Sequence, residues 1–479
     1  MQPHRTAIKA RWTVTSDSPK LTVLDGATVV VDGDKIAAIT HEEVTRADEF
    51  IQIDDGVLIP GFVNLHNHAL NGPTLKGIVD DYDRTGTSGS LIYNLLMPLG
   101  DLSATDMPEQ DIRAIFRLAL LDMLKSGTTT MLDMWRPGHR IFLDVAREFG
   151  VRAYGAPYVL SSPPTGVNRI GQPTYGSADG SDSIANFKSI FNEYDEGPQG
   201  RIRVVLGPHG TDTCSAELLR RVRATADEMG VLITIHAAQS RAEVSAIETR
   251  YGMTPIEYLQ STGIVGPDVV ASHCVYTSDQ DLDILRDTGT SVASCPMTFA
   301  RGGLTAPFQR FSDHGIRTGI GTDGYGFDYI EELRSAGLVS KLRMELSHIA
   351  PAAQLLRAGT ESGASALGRD DLGRIQVGAK ADLVAVDLGR AALQPIRDPI
   401  KNVIWYATAS DVSTVMVDGR LLVRGGKPLG INEKDIVSAG ADATYRLWER
   451  AERSGIRLDS ASSPIQHQPY QMAEGHTHG

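Results

Sequence analysis

Cysteine is scarce in this chain: Cys214, Cys274 and Cys295 are the only three in 479 residues, and no two are spaced as CxxC. An odd, unclustered set argues against a disulfide framework and suits a reducing compartment. Basic residues are outnumbered, with Lys+Arg 46 against Asp+Glu 59 and a net charge of −13. An acidic surface repels phosphate backbones, so no nucleic-acid partner is expected. No run approaches the ~18 apolar residues of a membrane-spanning helix. The opening MQPHRTAIKARWTV lacks the apolar core of a secretory signal. The expectation is a cytoplasmic protein with no membrane association. Phosphate loops are also missing: GTDGYG and RGGL carry neither Walker A nor G-x-G-x-x-G spacing, and no G-x-S-x-G elbow occurs.

What is present is a three-part pattern. From about Ile8 to Leu58 the runs TAIKARWTVT, ATVVVDGDKIAAI and FIQIDDGVLIPGF alternate as strands of an antiparallel sheet, with a hairpin turn at Val-Asp-Gly-Asp-Lys. From about Gly61 to Ala366, eight short apolar runs are separated by stretches of helical period: FVNLH, TTTMLDM, VRAYGAP, IRVVLGP, VLITIHA, VVASHC, SVASCP and RTGIGTD. Strand and helix in strict alternation predict a parallel sheet with outer helices, and eight repeats over about 300 residues fit a (β/α)8 barrel. After about Leu372, GAKADLVAVD, VIWYATAS and VSTVMVDGRLLVRGGKP read as strands again. Each chain end is too short to bury a core alone, so the two are expected to build one small β domain together. The boundaries expected are 1–59 and 373–430 for that domain, 60–372 for the barrel, and 431–479 for a C-terminal helix and polar tail. The long Gly-rich segment GIVDDYDRTGTSGSLIYNLLMPLG reads as a lid.

The chemistry gathers at strand ends. His66 and His68 in PGFVNLHNH sit at i and i+2 on the first run, so both imidazoles face one side. His236, His273 and Asp323 close the fifth, sixth and eighth runs. C-terminal strand ends form the catalytic face of a barrel. Four histidines and one aspartate converging there point to a metal site. His476 and His478 have the same spacing but no preceding strand, and read as a solvated terminus. Imidazole and carboxylate donors suit Zn²⁺ or Fe²⁺ over Mg²⁺ or Ca²⁺. Such an ion lowers the pKa of water from about 15.7 towards 7, and Asp323 is placed to move the proton. Cys274 alternates away from the side of His273 and reads as a core thiol. Trp135 follows the second run and could line the pocket, while Asp133 reads as structural.

PGFVNLHNH, GPHGTDTCS, the histidine of TIHAAQ, ASHC and GIGTDG occur in the order that resembles the amidohydrolase superfamily, in its branch of triazine hydrolases and adenosylhomocysteine-type deaminases. The resemblance covers roughly residues 8–430. It implies an α/β fold, a distorted (β/α)8 TIM barrel with a composite β-sandwich. It also implies one divalent metal (zinc, with iron or manganese as alternatives) held by His66, His68, His236 and Asp323. His273 would polarise the substrate or orient water, and His209 would contact substrate. Dimers or tetramers are common in that branch, so a homo-oligomer is expected. The branch usually carries Glu three residues after the fifth-strand histidine, where it shuttles a proton in deamination. Here that position is Gln239, which hydrogen-bonds but cannot ionise. Arg301 or Thr298, in CPMTFAR, could contact substrate. Glu243 is expected to cap or face solvent. The function expected is hydrolysis of a carbon–nitrogen or similar bond in a small cyclic or aromatic molecule. The alternative is deamination of a nucleobase-, pterin- or triazine-like ring.

Overall fold

The computed structural model describes residues 4–16, 20–80, 91–135, 138–167, 173–305 and 307–458. His476 and His478, most of the polar tail, and residues 81–90 of the segment read as a lid lie outside the described residues. In chain order the N-terminal strands are β1 (Arg5–Thr15), β2 (Thr22–Asp25), β3 (Thr28–Asp32), β4 (Lys35–Thr40) and β5 (Glu49–Pro60). β3 and β4 are joined by the two-residue turn Gly33-Asp34, with Gly33 at φ 62°, the left-handed conformation an Asp-Gly hairpin needs.

The eight apolar runs all form strands: β6 (Phe62–Asn67), β7 (Thr128–Trp135), β8 (Arg152–Val159), then β11 (Ile202–Val204) with β12 (Gly207–Pro208), β13 (Ile233–Ala237), β14 (Val269–His273), β15 (Ser291–Ser294) and β16 (Thr318–Ile320). A short hairpin, β9 (Pro164–Val167) and β10 (Pro173–Tyr175), lies between β8 and β11. β6, β7, β8 and β11 pair in parallel, as do β13, β14, β15 and β16. Parallel bridges join the two ladders at both edges: Leu206 to Ile233 and Gly210 to His236 on one side, Asn67 to Asp323 on the other. Every residue of β7, β8, β13 and β14 is buried, as strands covered on both faces require.

The C-terminal strands β17 (Leu383–Asp387), β18 (Val412–Val417), β19 (Arg420–Arg424) and β20 (Lys427–Pro428) continue the N-terminal sheet. β17 pairs antiparallel with β5, so one nine-stranded sheet takes strands from both chain ends. Two sequence expectations are corrected here. β1 and β5 pair in parallel, not antiparallel, because β2–β4 intervene as a crossover between them. VIWYATAS is not a strand: Pro399–Tyr406 is a helix, with Asp398 capping the Lys401 N–H and Pro399 in its first turn. Those start signals outweigh β-branched composition. A terminal helix, Glu433–Arg453, packs against Glu109–Lys125 through Arg446–Asp111 and Lys125–Glu433 pairs. Among the described residues no helix is long and apolar enough to cross a membrane.

Candidate active site

The five residues at the strand ends meet at one point. The His66 ring lies 4.8 Å from those of His68 and His273 and 4.9 Å from that of His236, centroid to centroid. Nitrogen atoms of His66, His236 and His273 lie within 4.8 Å of one another, as do donor atoms of His66, His68 and Asp323. The backbone is bent to do this. His273 (φ 77°), Cys274 (50°), Asp323 (54°) and Ala238 (50°) are all non-glycine residues in the left-handed region. Such strain gathers where side chains must be aimed off the end of a strand. The Asp323 N–H donates to the His66 carbonyl at 3.0 Å, which ties the carboxylate's strand to that of the paired histidines.

Backbone carbonyls fix the ring tautomers. A carbonyl only accepts, so the ring nitrogen facing it carries the proton. His68 Nδ1 donates to the Met134 carbonyl, and His236 Nδ1 donates to the His209 carbonyl at 2.5 Å. Their Nε2 atoms are left as lone pairs, facing each other at 3.3 Å. Two acceptors at that distance repel unless a cation sits between them. Two nitrogens bound to one tetrahedral zinc at about 2.0–2.1 Å would lie about 3.4 Å apart. His66 repeats the pattern: Nδ1 meets Ser272 Oγ at 3.0 Å, and Nε2 is buried with no partner among the described residues. His68 Nε2 also lies 3.5 Å from Asp323 Oδ1. Burial pushes the His66 and His273 imidazoles well below their ordinary range and His236 to about 3, with mutual repulsion adding to it. Neutral imidazoles are the ligand form, so the donor set fits a divalent ion.

A cavity of about 400 Å³ opens beside this cluster, within the size range of small-molecule sites. His209, Gln239 and Trp135 line it, with Asp323, His273 and Thr298. Trp135 packs 5.8 Å from the His68 ring, and its buried Nε1–H has no partner among the described residues. His209 is held through Nδ1 by Thr213 Oγ1 at 2.8 Å and lies edge-on to Tyr158 at 4.7 Å. Arg301 is placed differently from the expectation. It does not line the cavity, and its guanidinium pairs with Asp80 at 3.3 Å. It ends a one-and-a-half-turn helix, Pro296–Arg301, whose Thr298 and Phe299 turn inward instead. Leu91, Ile92, Leu96 and Met97, from the described part of the Gly-rich segment, also line the cavity.

Supporting contacts were only partly visible in the sequence. Asp133, expected to be structural, is fully buried, accepts the Ala69 N–H at 2.6 Å, and is pushed up to about 7 by burial. Glu243 is not on the surface: it is 0% exposed and accepts from Ala238 N–H at 2.9 Å, Gln239 N–H at 2.7 Å and Thr211 Oγ1 at 2.5 Å. With both oxygens committed behind the loop, it shapes the Gln239 turn and does not replace a carboxylate at 239. Asp212 was missed. It receives the hydroxyls of Tyr93 and of Tyr175, the latter at 2.6 Å, and so ties two covering segments to the loop of His209. Cys274 is a buried core thiol, pushed up by burial.

The model of the amidohydrolase family matches residues 57–422. The chain is a member of that family. It is 31% identical over 450 residues to a 5'-deoxyadenosine deaminase of Methanosarcina barkeri, covering 92% of this chain and 98% of the relative. It is 32% identical over 454 residues to a 5-methylthioadenosine/S-adenosylhomocysteine deaminase of Pelotomaculum thermopropionicum, covering 92% and 99%. Among solved structures, an adenosine deaminase from Xanthomonas campestris with bound zinc superposes with a TM-score of 0.82 at 24% identity, covering 93% of this chain and 99% of that one. An atrazine chlorohydrolase from Arthrobacter aurescens TC1 complexed with zinc superposes at 0.81 with 23% identity, covering 92% and 100%. Those two likenesses establish the fold. As an amidohydrolase, the chain is a metal-dependent hydrolase acting on carbon–nitrogen bonds other than peptide bonds.

Proposed function

We propose that this amidohydrolase binds one zinc ion through His66, His68, His236 and Asp323 and hydrolyses a C–N or similar bond in a small cyclic or aromatic substrate. The observation that carries the reading is the pair of Nε2 lone pairs facing each other at 3.3 Å, with both Nδ1 protons committed to carbonyls. When bound, a divalent ion supplies Lewis acidity and brings the pKa of water from about 15.7 towards 7. Asp323 takes the proton of the attacking water and returns it to the leaving group. His273, whose buried Nδ1 has no partner among the described residues, stands against the charge that develops on the attacked group. Gln239, His209 and Trp135 orient the substrate, and the apolar wall of Leu91, Ile92, Leu96 and Met97 holds water off.

The same reading divides the chain at 1–59 and 373–430 for a composite β-sandwich, 60–372 for a distorted (β/α)8 barrel, and 431–479 for the terminal helix and tail. It is supported by the bridges that close the parallel ladders, and by a separate apolar cluster within the shared sheet that includes Ile8, Val29, Ile51, Leu383 and Met416. A cytoplasmic homo-oligomer is part of the proposal.

A second reading, ring deamination, is favoured by the names of the relatives and opposed by Gln239. An amide cannot protonate a ring nitrogen. In a screen of zinc-loaded protein for amine release, wild type is expected to cleave an amide, urea or carbamate faster than 5'-deoxyadenosine. Gln239→Glu is expected to raise ammonia release from 5'-deoxyadenosine by roughly 10²-fold, the lower end of what a positioned acid–base group contributes. Wild type that deaminates 5'-deoxyadenosine faster than any member of the amide panel would replace the first reading by the second.

A further inference from the structure

Asp212 fastens two separate stretches of chain beside the cavity with a single oxygen. It lies in the loop that carries His209 and is 0% exposed; its Oδ2 accepts the hydroxyl of Tyr93 and, at 2.6 Å, that of Tyr175. The two phenol rings meet edge-on at 6.2 Å. The barrel side of this contact is fixed. Arg250 Nη1 donates to the Asp212 carbonyl at 2.8 Å, and the Arg250 guanidinium lies over the Tyr175 ring at 4.7 Å. Thr213, the next residue, holds His209 Nδ1 at 2.8 Å.

The covering side is held at its two ends. Tyr93 lies on the wide turn Ile92–Leu96, closed by the Met97 N–H on the Ile92 carbonyl five residues back, and this runs into the helix Met97–Asp106. Turns of that width gather at functional positions. Leu91, Ile92, Leu96 and Met97 of this stretch line the cavity. Gly100 rests on the Trp135 indole, where a Cβ would come within 2.8 Å of Cζ2. The Ser103 and Thr105 hydroxyls return to carbonyls of their own helix, Gly100 at 2.6 Å and Asp101 at 3.0 Å, and so do not tie it to the barrel. The far end is tied at the Asp106 carbonyl by Arg450 of the terminal helix, and the near end by Tyr93. The other oxygen of Asp212, Oδ1, is buried with no partner among the described residues. A buried acceptor left unmade costs free energy, so the fastened state forgoes an interaction that water supplies on opening.

We infer that Asp212 is a positioning residue whose bond to Tyr93 clasps the stretch 91–106 over the cavity, and that release of this clasp is the motion that opens the metal cluster to substrate. The inference rests on the proposed hydrolase reading for what passes through the opening, and adds the group that controls it. Closure of this kind excludes water and commits the substrate, and it proceeds by local opening, not by unfolding. Control through Tyr93 follows from the geometry: its helical neighbours Ile92 and Leu96 wall the cavity, so a swing at Tyr93 carries the wall with it.

The test is hydrogen exchange of the zinc-loaded full chain, read by mass spectrometry, together with the rate at which zinc passes to the chelator dipicolinate. Tyr93→Phe keeps the ring and removes the hydroxyl. It is expected to raise exchange across 92–105 by about 10- to 100-fold, the range for losing one hydrogen bond to a charged group, with β13 and β14 unchanged. Zinc transfer should speed up by a similar factor, since both readings report the open population. Asp212→Asn keeps a neutral acceptor and should fall between wild type and Tyr93→Phe; it carries the test if Tyr93→Phe does not fold. Tyr194→Phe removes a hydroxyl that donates to Asp144 at 3.1 Å outside the cavity, and should change neither reading. Exchange across 92–105 that stays within about threefold of wild type in Tyr93→Phe overturns the inference. So does a rise shared by β13 and β14, which marks general loosening, and so does faster exchange with unchanged zinc transfer. Failure of the hydrolase reading shows elsewhere, as protein that takes up no zinc and releases no amine, while exchange across 92–105 still reads the clasp.

Discussion

Asp323→Asn is expected to lower kcat by roughly 10²–10⁴-fold, the contribution of a positioned acid–base group. The substitution isolates chemistry from architecture. Asn has the same shape, and the backbone contacts that seat the residue, its N–H on the His66 carbonyl and its bridge to Asn67, do not involve the side chain. What disappears is the ionisable oxygen 3.5 Å from His68 Nε2. Steady-state kinetics on the amine-releasing substrate, read beside metal content, should show a collapse of kcat larger than any loss of bound metal. A variant within threefold of wild type at full metal occupancy would mean that another group moves the proton.

Asp382→Ala is expected to cost about 3–5 kcal/mol of stability, as for any substitution that strands a buried charge. Arg152 begins β8 at the end opposite the histidines and is 0% exposed. Its Nε donates to Asp382 Oδ2 at 2.6 Å, and its Nη2 donates to Asp382 Oδ1 at 3.2 Å and to Asp418 Oδ1 at 2.5 Å. Asp382 precedes β17 and Asp418 follows β18, so this charge group fastens the floor of the parallel strands to the shared sheet. Removing Asp382 leaves the guanidinium buried with one of its three hydrogen bonds. The double variant Arg152→Met/Asp382→Leu removes both members of the pair and should recover part of the loss. Urea unfolding gives the number. A cost below 1 kcal/mol would show that water reaches the arginine. Because the group lies at the far end from the cavity, activity below the unfolding transition should be preserved.

The legible parts of the sequence were those with local signals. Each of the eight apolar runs became a strand because it is buried on both faces and bounded by helical period. The histidines at 66 and 68 were legible because strand geometry alone puts i and i+2 on one side. VIWYATAS misled because its first residues sit on a helix begun by Asp398-Pro399, a two-residue signal that lies before the apolar run. The parallel pairing of β1 with β5 was not legible, since direction depends on how three intervening strands cross. Arg301 read as a substrate contact from its loop, and only the fold shows that it stands off the cavity wall and pairs with Asp80. Asp212 could not have been found at all. Its partners Tyr93 and Tyr175 lie 119 and 37 residues away and carry no shared motif. Glu243 showed its helix-start spacing from Ser240, but its burial depends on a loop in another βα unit.

The central claim, that the facing imidazoles exist to hold a divalent ion, is tested most directly by metal analysis of the purified chain before and after chelation, with turnover followed throughout. The account predicts close to one divalent ion per chain, loss of amine release when it is removed, and recovery on adding Zn²⁺, Fe²⁺ or Mn²⁺. Undiminished turnover by metal-free protein would contradict it.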